Sequence, residues 1–376
     1  MTIVTRDADA ERFMARALEL AARGEGVVEP NPMVGCVLVR DGQIVGDGWH
    51  QEFGGPHAEI NAIKAAGKAT QGATAYVTLE PCCHQGKTPP CTQALKLVGV
   101  KRVAAAMEDP FPSVDGGGID ELRKAGIECE IGVLADRARE LNAPYLKRLT
   151  TGRPWVIAKW AQSLDGKMST PVGESKWISN ERSREIVQQL RGRVDAIIVG
   201  SGTARADDPM LTARPLKPAD VKRKATRVVV DSLATISLES QLVKTAREVP
   251  VLVAVSAAAD VEKCKELVAA GVDIFPCAGK SHAARFESLL DELGRRKMTN
   301  VLVEGGAQLL RTVFDAQLVD EAHIFIAPRV IGGDTLPSPV GEMNADDILE
   351  ALGVVDAAIT DLDGNIYIQG RLTRRQ

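Results

Sequence analysis

Aromatic side chains are scarce, with Phe, Trp and Tyr together making up 4% of 376 residues. Proteins that grip single-stranded nucleic acid stack bases on aromatic platforms inside a basic channel. Here 46 Lys and Arg stand against 50 Asp and Glu, for a formal charge of -4, so nucleic acid is not expected as a partner. No run of eighteen apolar residues occurs, so no membrane span is expected. The opening residues carry acids and lack the apolar segment and cleavage site of a secretory leader, which makes the cytoplasm the expected location. Cysteine is sparse as well, seven residues unevenly placed, which excludes a disulfide framework.

What remains is an ordinary globular composition, 45% hydrophobic and 26% charged, on a chain long enough for two domains. From Leu134 to Pro154 the sequence turns polar and charged, reading as a connecting segment, so the division is expected near Thr151, giving domains 1–150 and 151–376. In the first half, Phe13, Met14, Ala17, Leu18 and Ala21 recur at helical spacing. Strands over Gly35 to Arg40 and Gln43 to Val45 flank Asp41-Gly42, a hairpin signal. Helices are expected near His57 to Ala66, Thr92 to Val98 and Asp120 to Ala125, and strands at Ala73 to Leu79 and Arg102 to Met107. That order predicts a three-layer α/β domain with a mixed sheet. In the second half, strands are expected at Trp155 to Ala161, Ala196 to Gly200, Arg227 to Asp231, Val251 to Val255, Val301 to Glu304 and His323 to Ala327. Two more strands around Asp363-Gly364-Asn365 predict an α/β domain with an antiparallel finish.

The cysteines and histidines are informative by placement. Cys82, Cys83 and Cys91 fall within ten residues beside His84, and His50, His57 and His84 are three of only five histidines. His57 opens a predicted helix with Glu59 two residues on, so an imidazole and a carboxylate share a helix start. The segment Pro81 to Cys91 brings thiols to the mouth of a second helix, where the dipole and a metal both favour thiolate. Three protein ligands leave a zinc ion one open position for water, whose pKa falls towards about 7, and a carboxylate that does not ligate can carry the proton. Zinc deaminases work in this way. Cys82 and Cys83 are neighbours that seldom reach one ion together, so one of them with Cys91 is the expected pair.

In the second half, a buried-type strand runs into Glu304-Gly305-Gly306 and then the helix AQLLRTVF. Glycines at a helix N-terminus let backbone amides approach a phosphate. Polar segments follow other strand ends, at Ser163 to Lys167, Gly200 to Arg214 and Asp231-Ser232, where open sheets bind ligands.

Three runs, NPMVGCVLV from Asn31, GWHQEFGGPHAE from Gly48 and VTLEPCCHQGKTPPC from Val77, resemble the deaminase half of the bifunctional riboflavin biosynthesis family. SLDGK, GESKWIS, GSGTARADDPMLTAR and EGG resemble its reductase half, so the resemblance covers the whole chain. It implies a cytidine-deaminase-like fold followed by a dihydrofolate-reductase-like fold, with Zn2+ and NADPH as cofactors. His57, Cys82 and Cys91 are implied as zinc ligands and Glu59 as the proton shuttle, with Cys83 a non-ligand. Asn31, His50, His84 and Lys87 match positions around the pyrimidine and ribose phosphate. NADPH is implied near Ala161, Thr203, Asp207, Ser232, Gly306, Ala307, Gln308, Leu309, Leu310, Arg311 and Thr312. Ser175, Trp177, Arg191, Leu211, Arg214 and Glu304 are implied around the second substrate, Asp207 assists proton movement, and Arg191 and Arg214 offer paired donors to a phosphate. Gly117 stands where the family usually carries arginine.

The expected activity is therefore hydrolytic deamination of a phosphorylated ribosylaminopyrimidine, followed by NADPH-dependent reduction of its ribosyl side chain. A homo-oligomer is the expected assembly. The rival reading is a deaminase of another nucleotide-like substrate or of nucleic acid, with a non-catalytic C-terminal binding domain.

Overall fold

A computed structural model describes residues 8–85, 89–170, 177–218, 221–333 and 352–373. The chain divides into two units, Met1–Thr151 and Gly152–Gln376.

The first unit runs α1 (Ala8–Ala22), β1 (Gly35–Arg40), β2 (Gln43–Trp49), α2 (Ala58–Ala66), β3 (Thr74–Val77), α3 (Cys91–Leu97), β4 (Arg102–Ala105), α4 (Gly117–Lys124), β5 (Glu128–Ile131), α5 (Ala135–Leu141) and α6 (Ala143–Thr151). Its sheet has the order β2-β1-β3-β4-β5, antiparallel across β2, β1 and β3 and parallel from β3 to β5. The hairpin turns on Asp41 and Gly42, both at positive φ, the turn that matches strand twist. One apolar cluster packs α1 on one face of the sheet, and a second packs α2, α3 and α4 on the other. The α1 face demands a glycine at 35, since a Cβ there would stand 2.0 Å from the Ala17 carbonyl oxygen. The sheet is mixed and sandwiched, and the order of elements follows the periodicities read from the sequence.

The segment from Leu134 onward, read as connecting but with Leu141, Tyr145 and Leu149 free to pack, is part of the first unit. It folds as α5 and α6, with Ala138 and Tyr145 buried and Leu141 and Leu146 packed on the α1 cluster. Its many charges lie on the outer faces of two short helices.

The second unit runs β6 (Trp155–Ser163), α7 (Glu181–Arg191), β7 (Ala196–Gly200), α8 (Ser201–Asp207), β8 (Thr226–Val230), α9 (Gln241–Lys244), β9 (Val251–Val255), α10 (Val261–Ala269), β10 (Asp273–Pro276), α11 (His282–Arg295), β11 (Asn300–Val303), α12 (Ala307–Asp315), β12 (Glu321–Ala327), β13 (Val354–Leu362) and β14 (Asn365–Leu372). Among the described residues nine strands form one sheet, ordered β10-β9-β8-β7-β11-β6-β12-β14-β13. It is parallel from β10 to β12 and antiparallel over β12, β14 and β13. Alternate residues of β6, β7, β8 and β9 enter two clusters on opposite faces, one closed by α11 and α12, the other by helices including α9 and α10. This is the burial on both faces that parallel strands require. It also brings the carboxyl ends of β7, β11 and β6 side by side, where ligands bind in open sheets.

Candidate active sites

In the first unit two helix starts meet. His57 is the N-cap residue of α2 and makes no side-chain cap, so its ring is free to turn inward. Cys91 is the first residue of α3, and Cys82 lies on the loop between β3 and α3. His57 Nδ1 stands 3.5 Å from Cys82 Sγ and 3.3 Å from Cys91 Sγ, and the three ligand atoms lie within 4.8 Å of one another. Tetrahedral zinc with bonds of about 2.0 to 2.3 Å sets its ligands about 3.5 Å apart. One imidazole nitrogen and two thiols at this spacing fit zinc. The Cys91 amide donates to Cys82 Sγ at 3.4 Å. Hydrogen bonding from the Cys91 thiol, then from His57, draws the Cys82 thiol down to about 4. Cys83 turns elsewhere, its Sγ donating to the Ser113 carbonyl at 3.8 Å.

Glu59 is buried in the first turn of α2 and hydrogen-bonded to Cys91. Burial pushes its carboxyl up to about 7, with the nearby His57 pulling the other way. Asn31 Nδ2 and His50 Nε2 are 3.2 Å apart, and His50 Nδ1 is 3.0 Å from the Pro56 carbonyl. That carbonyl only accepts, so His50 carries its proton on Nδ1 and accepts from Asn31 on Nε2. His50 thus has both ring nitrogens engaged, and its effect on a ligand is to orient the Asn31 amide. The His84 ring lies 6.0 Å from the Phe111 ring, with Nδ1 buried and lacking a hydrogen-bond partner. Lys87 lies outside the described residues.

Two structural carboxylates and amides of this site were not singled out in the sequence. Glu80, buried, accepts from the amides of Asp109, Gly116 and Ile119 at 3.2, 3.0 and 3.0 Å, which wraps the 109–119 loop round the strand end. Asn142 bonds both the amide and the carbonyl of Met33 at 2.8 and 2.9 Å, fixing the loop that carries Asn31. A glutamate directly before Pro-Cys at the end of an apolar strand was the available signal for Glu80.

In the second unit, β7 ends at Gly200 and β11 runs into Glu304-Gly305-Gly306. Gly306 caps α12 without a side chain, leaving the first amides of a nine-residue helix for an anion. A Cβ on Gly306 would lie 3.1 Å from Thr203 Oγ1 of α8, so the two helix starts abut. This uncapped, glycine-lined start next to a hydroxyl fits the pyrophosphate of a dinucleotide; Gly306, Ala307 and Gln308 form it, whereas Leu309 and Leu310 are buried in the apolar cluster and Arg311 and Thr312 lie beyond the first turn. Ala161 is near the carboxyl end of β6, Asp207 ends α8, and Ser232 follows β8, its carbonyl bonded to Ser256.

Arg191 and Glu304 are brought together as one bidentate pair, Nε to Oε1 2.6 Å and Nη2 to Oε2 2.8 Å. Lys159, inside β6, has its Nζ 4.0 Å from Glu304 Oε2. Burial works against a charged Glu304, but Arg191 and Lys159 outweigh it and hold the carboxyl below its usual range. Burial lowers Lys159. Lys159 was missed in the sequence, although a lysine in the apolar strand WVIAKWA was the signal. Leu211 is buried at positive φ, Arg214 is exposed with its amide bonded to Gln188, and Trp177 lies beneath the Arg184 guanidinium at 4.5 Å. Ser175 lies outside the described residues.

Residues 7–107 match the family described as the cytidine and deoxycytidylate deaminase zinc-binding region, and residues 154–357 the RibD C-terminal domain. Riboflavin biosynthesis protein RibD of Escherichia coli is 41% identical over 333 residues, 86% of this chain and 89% of that protein. The protein of the same name from Bacillus amyloliquefaciens is 44% identical over 329 residues, 87% of each chain. The chain belongs to the RibD family. The fold agrees over its length with RibD of Acinetobacter baumannii, at TM-score 0.85 and 36% identity over 97% of this chain and 99% of that one. It also agrees with a Thermotoga maritima diaminohydroxyphosphoribosylaminopyrimidine deaminase/5-amino-6-(5-phosphoribosylamino)uracil reductase, at TM-score 0.81 and 35% identity over 97% and 99%. As a RibD family member the chain joins a zinc-binding deaminase domain to a reductase domain that uses NADPH. The reading with a non-catalytic second domain is not favoured. Among the described residues no helix is long and apolar enough to cross a membrane.

Proposed function

We propose that the first unit deaminates a phosphorylated diaminopyrimidine bearing a ribosylamino group, and that the second reduces the ribosyl side chain of the product to ribityl. The observation that carries the first step is the triangle of His57 Nδ1, Cys82 Sγ and Cys91 Sγ with buried, non-ligating Glu59 against it. His57, Cys82 and Cys91 hold zinc, which supplies the Lewis acidity that makes water nucleophilic near neutral pH. Glu59 takes the proton from the attacking water and returns it to the departing amino group, so that ammonia leaves. A carboxyl raised to about 7 by burial is matched to both halves of that task. Asn31, oriented by His50, His84 and Lys87 hold the pyrimidine and its ribose phosphate.

In the second unit the α12 start together with Ala161, Thr203, Asp207 and Ser232 would hold NADPH, which would supply the hydride. The abutting helix starts support this placement. Trp177 and Leu211 frame the substrate, and Ser175 is assigned to it by the family resemblance alone. Since the Arg191 fork is engaged by Glu304, the phosphate falls to Arg214, while the Arg191–Glu304–Lys159 cluster faces the reacting sugar. Asp207 handles the proton set free as the sugar ring opens.

Two substitutions test this half. Asp207→Asn keeps size and hydrogen bonding but removes the charge, so NADPH affinity measured by fluorescence should stay near the parent while oxidation of NADPH slows by about a hundredfold or more. Unchanged turnover would remove Asp207 from the chemistry. Lys159→Met removes the buried ammonium and leaves the Arg191–Glu304 pair. NADPH oxidation with the deaminated substrate should fall by about a hundredfold and ammonia release should not change; a parent-like rate would show that Lys159 only packs.

A further inference from the structure

We propose that Arg227 is a positioning residue of the reductase site, its buried guanidinium holding the Met210 carbonyl and thereby placing Leu211 and Arg214. Arg227 is the second residue of β8 and is 0% exposed, yet no carboxylate is hydrogen-bonded to it among the described residues, Glu248 acting on it through charge alone. A buried cation without a bonded counter-ion is costly and is held through the donors it does use; Nε is buried without a hydrogen-bond partner, so the two terminal nitrogens carry every contact. Nη2 donates to the carbonyls of Leu242, Thr245 and Val249 at 3.4, 3.1 and 2.6 Å. These carbonyls belong to the end of α9 and the approach to β9. Nη1 donates to Thr245 Oγ1 at 2.8 Å and, on its other side, to the Met210 carbonyl at 3.2 Å.

Met210 directly precedes Leu211, a buried leucine at φ +49. A branched side chain does not choose that conformation unless its surroundings impose it. Three points pin the loop from outside. Asp208, also at positive φ, bonds the Gln241 amide at 2.8 Å, Arg227 holds Met210, and Gln188 of α7 accepts from the Arg214 amide at 2.8 Å. Of the three, only the Arg227 anchor is buried and charged, and it acts on the peptide next to the strained residue. The consequence for Arg214 rests on the reading of Arg214 as a phosphate contact.

Arg227→Lys keeps a charge but loses the fork that bridges Met210 and α9. Calorimetry of the whole chain with the deaminated substrate, without NADPH, should show about tenfold weaker binding, and KM should rise to match with kcat within about twofold. Ammonia release by the first unit should not change. Thr245→Val removes another acceptor of the same guanidinium and leaves the Met210 bond; it should lower the melting temperature with substrate affinity at the parent value. Weaker melting of Arg227→Lys with unchanged affinity, or equal loss of affinity in Thr245→Val, overturns the proposal in favour of a purely structural clamp. If Arg227→Lys does not fold, Gln241→Ala removes the exposed anchor, where the Gln241 side chain bonds the Asp208 carbonyl, and leaves Arg227 on Met210, so affinity should stay at the parent value; a tenfold loss there overturns the proposal by putting the placement of the loop on the exposed anchor. Arg214→Ala separates the two readings, since an Arg214→Ala chain that binds like the parent removes the phosphate contact itself.

Discussion

Glu59→Gln should retain a full complement of zinc and lose ammonia release by about a hundredfold to ten-thousandfold, equivalent to about 3 to 5 kcal/mol of barrier. The amide has the same shape and sits in the same buried first turn of α2. It can neither take a proton from water nor return one to the departing amine. Because Glu59 does not belong to the His57, Cys82, Cys91 triangle, metal content measured on the purified variant should equal that of the parent. NADPH oxidation with the deaminated substrate supplied directly should also be normal. A zinc-free variant would make Glu59 a ligand, and near-normal ammonia release would take the proton transfer away from it.

The second large effect separates three cysteines that stand close in sequence. Cys82→Ser and Cys91→Ser each exchange a soft thiolate for a neutral hydroxyl, and the loss in metal affinity should exceed the roughly 10- to 100-fold that outer-shell changes cost. Both variants should be purified nearly free of zinc and without deaminase activity. Cys83→Ser should keep both, because its sulfur bonds the Ser113 carbonyl instead of joining the triangle. Elemental analysis of the three proteins decides the matter, and zinc loss in Cys83→Ser would reverse the assignment.

Much of the metal triangle was legible because its chemistry is local. His57 and Glu59 occupy one helix start, and Cys82 lies on the loop that runs into Cys91 at the start of α3, so soft ligands clustered in the sequence before any folding was considered. Strand and helix order was legible for a similar reason, since periods of two and 3.6 residues record which faces are buried. The polar network of the second unit was not. Arg191 and Glu304 are 113 residues apart, and nothing in either stretch announces that one neutralises the other. Lys159 was passed over inside an apolar strand, and only the fold brings it to Glu304. The segment after Leu134 was only half legible, because short amphipathic helices with one narrow apolar stripe carry as many charges as a linker. His50 shows a subtler limit, for its type and position were noted but its orienting action on Asn31 depends on which atoms face the Pro56 carbonyl.

In the proposed function one chain carries two working sites that act in order. The most direct measurement follows ammonia release and NADPH oxidation together on the purified full-length protein, with and without removal of zinc. The zinc-loaded protein should release one ammonia and oxidise one NADPH for each molecule of the diaminopyrimidine substrate. The zinc-depleted protein should do neither with that substrate, yet oxidise NADPH at the parent rate when given the deaminated compound. NADPH oxidation from the diaminopyrimidine without ammonia release, or ammonia release with no NADPH oxidation, would contradict it.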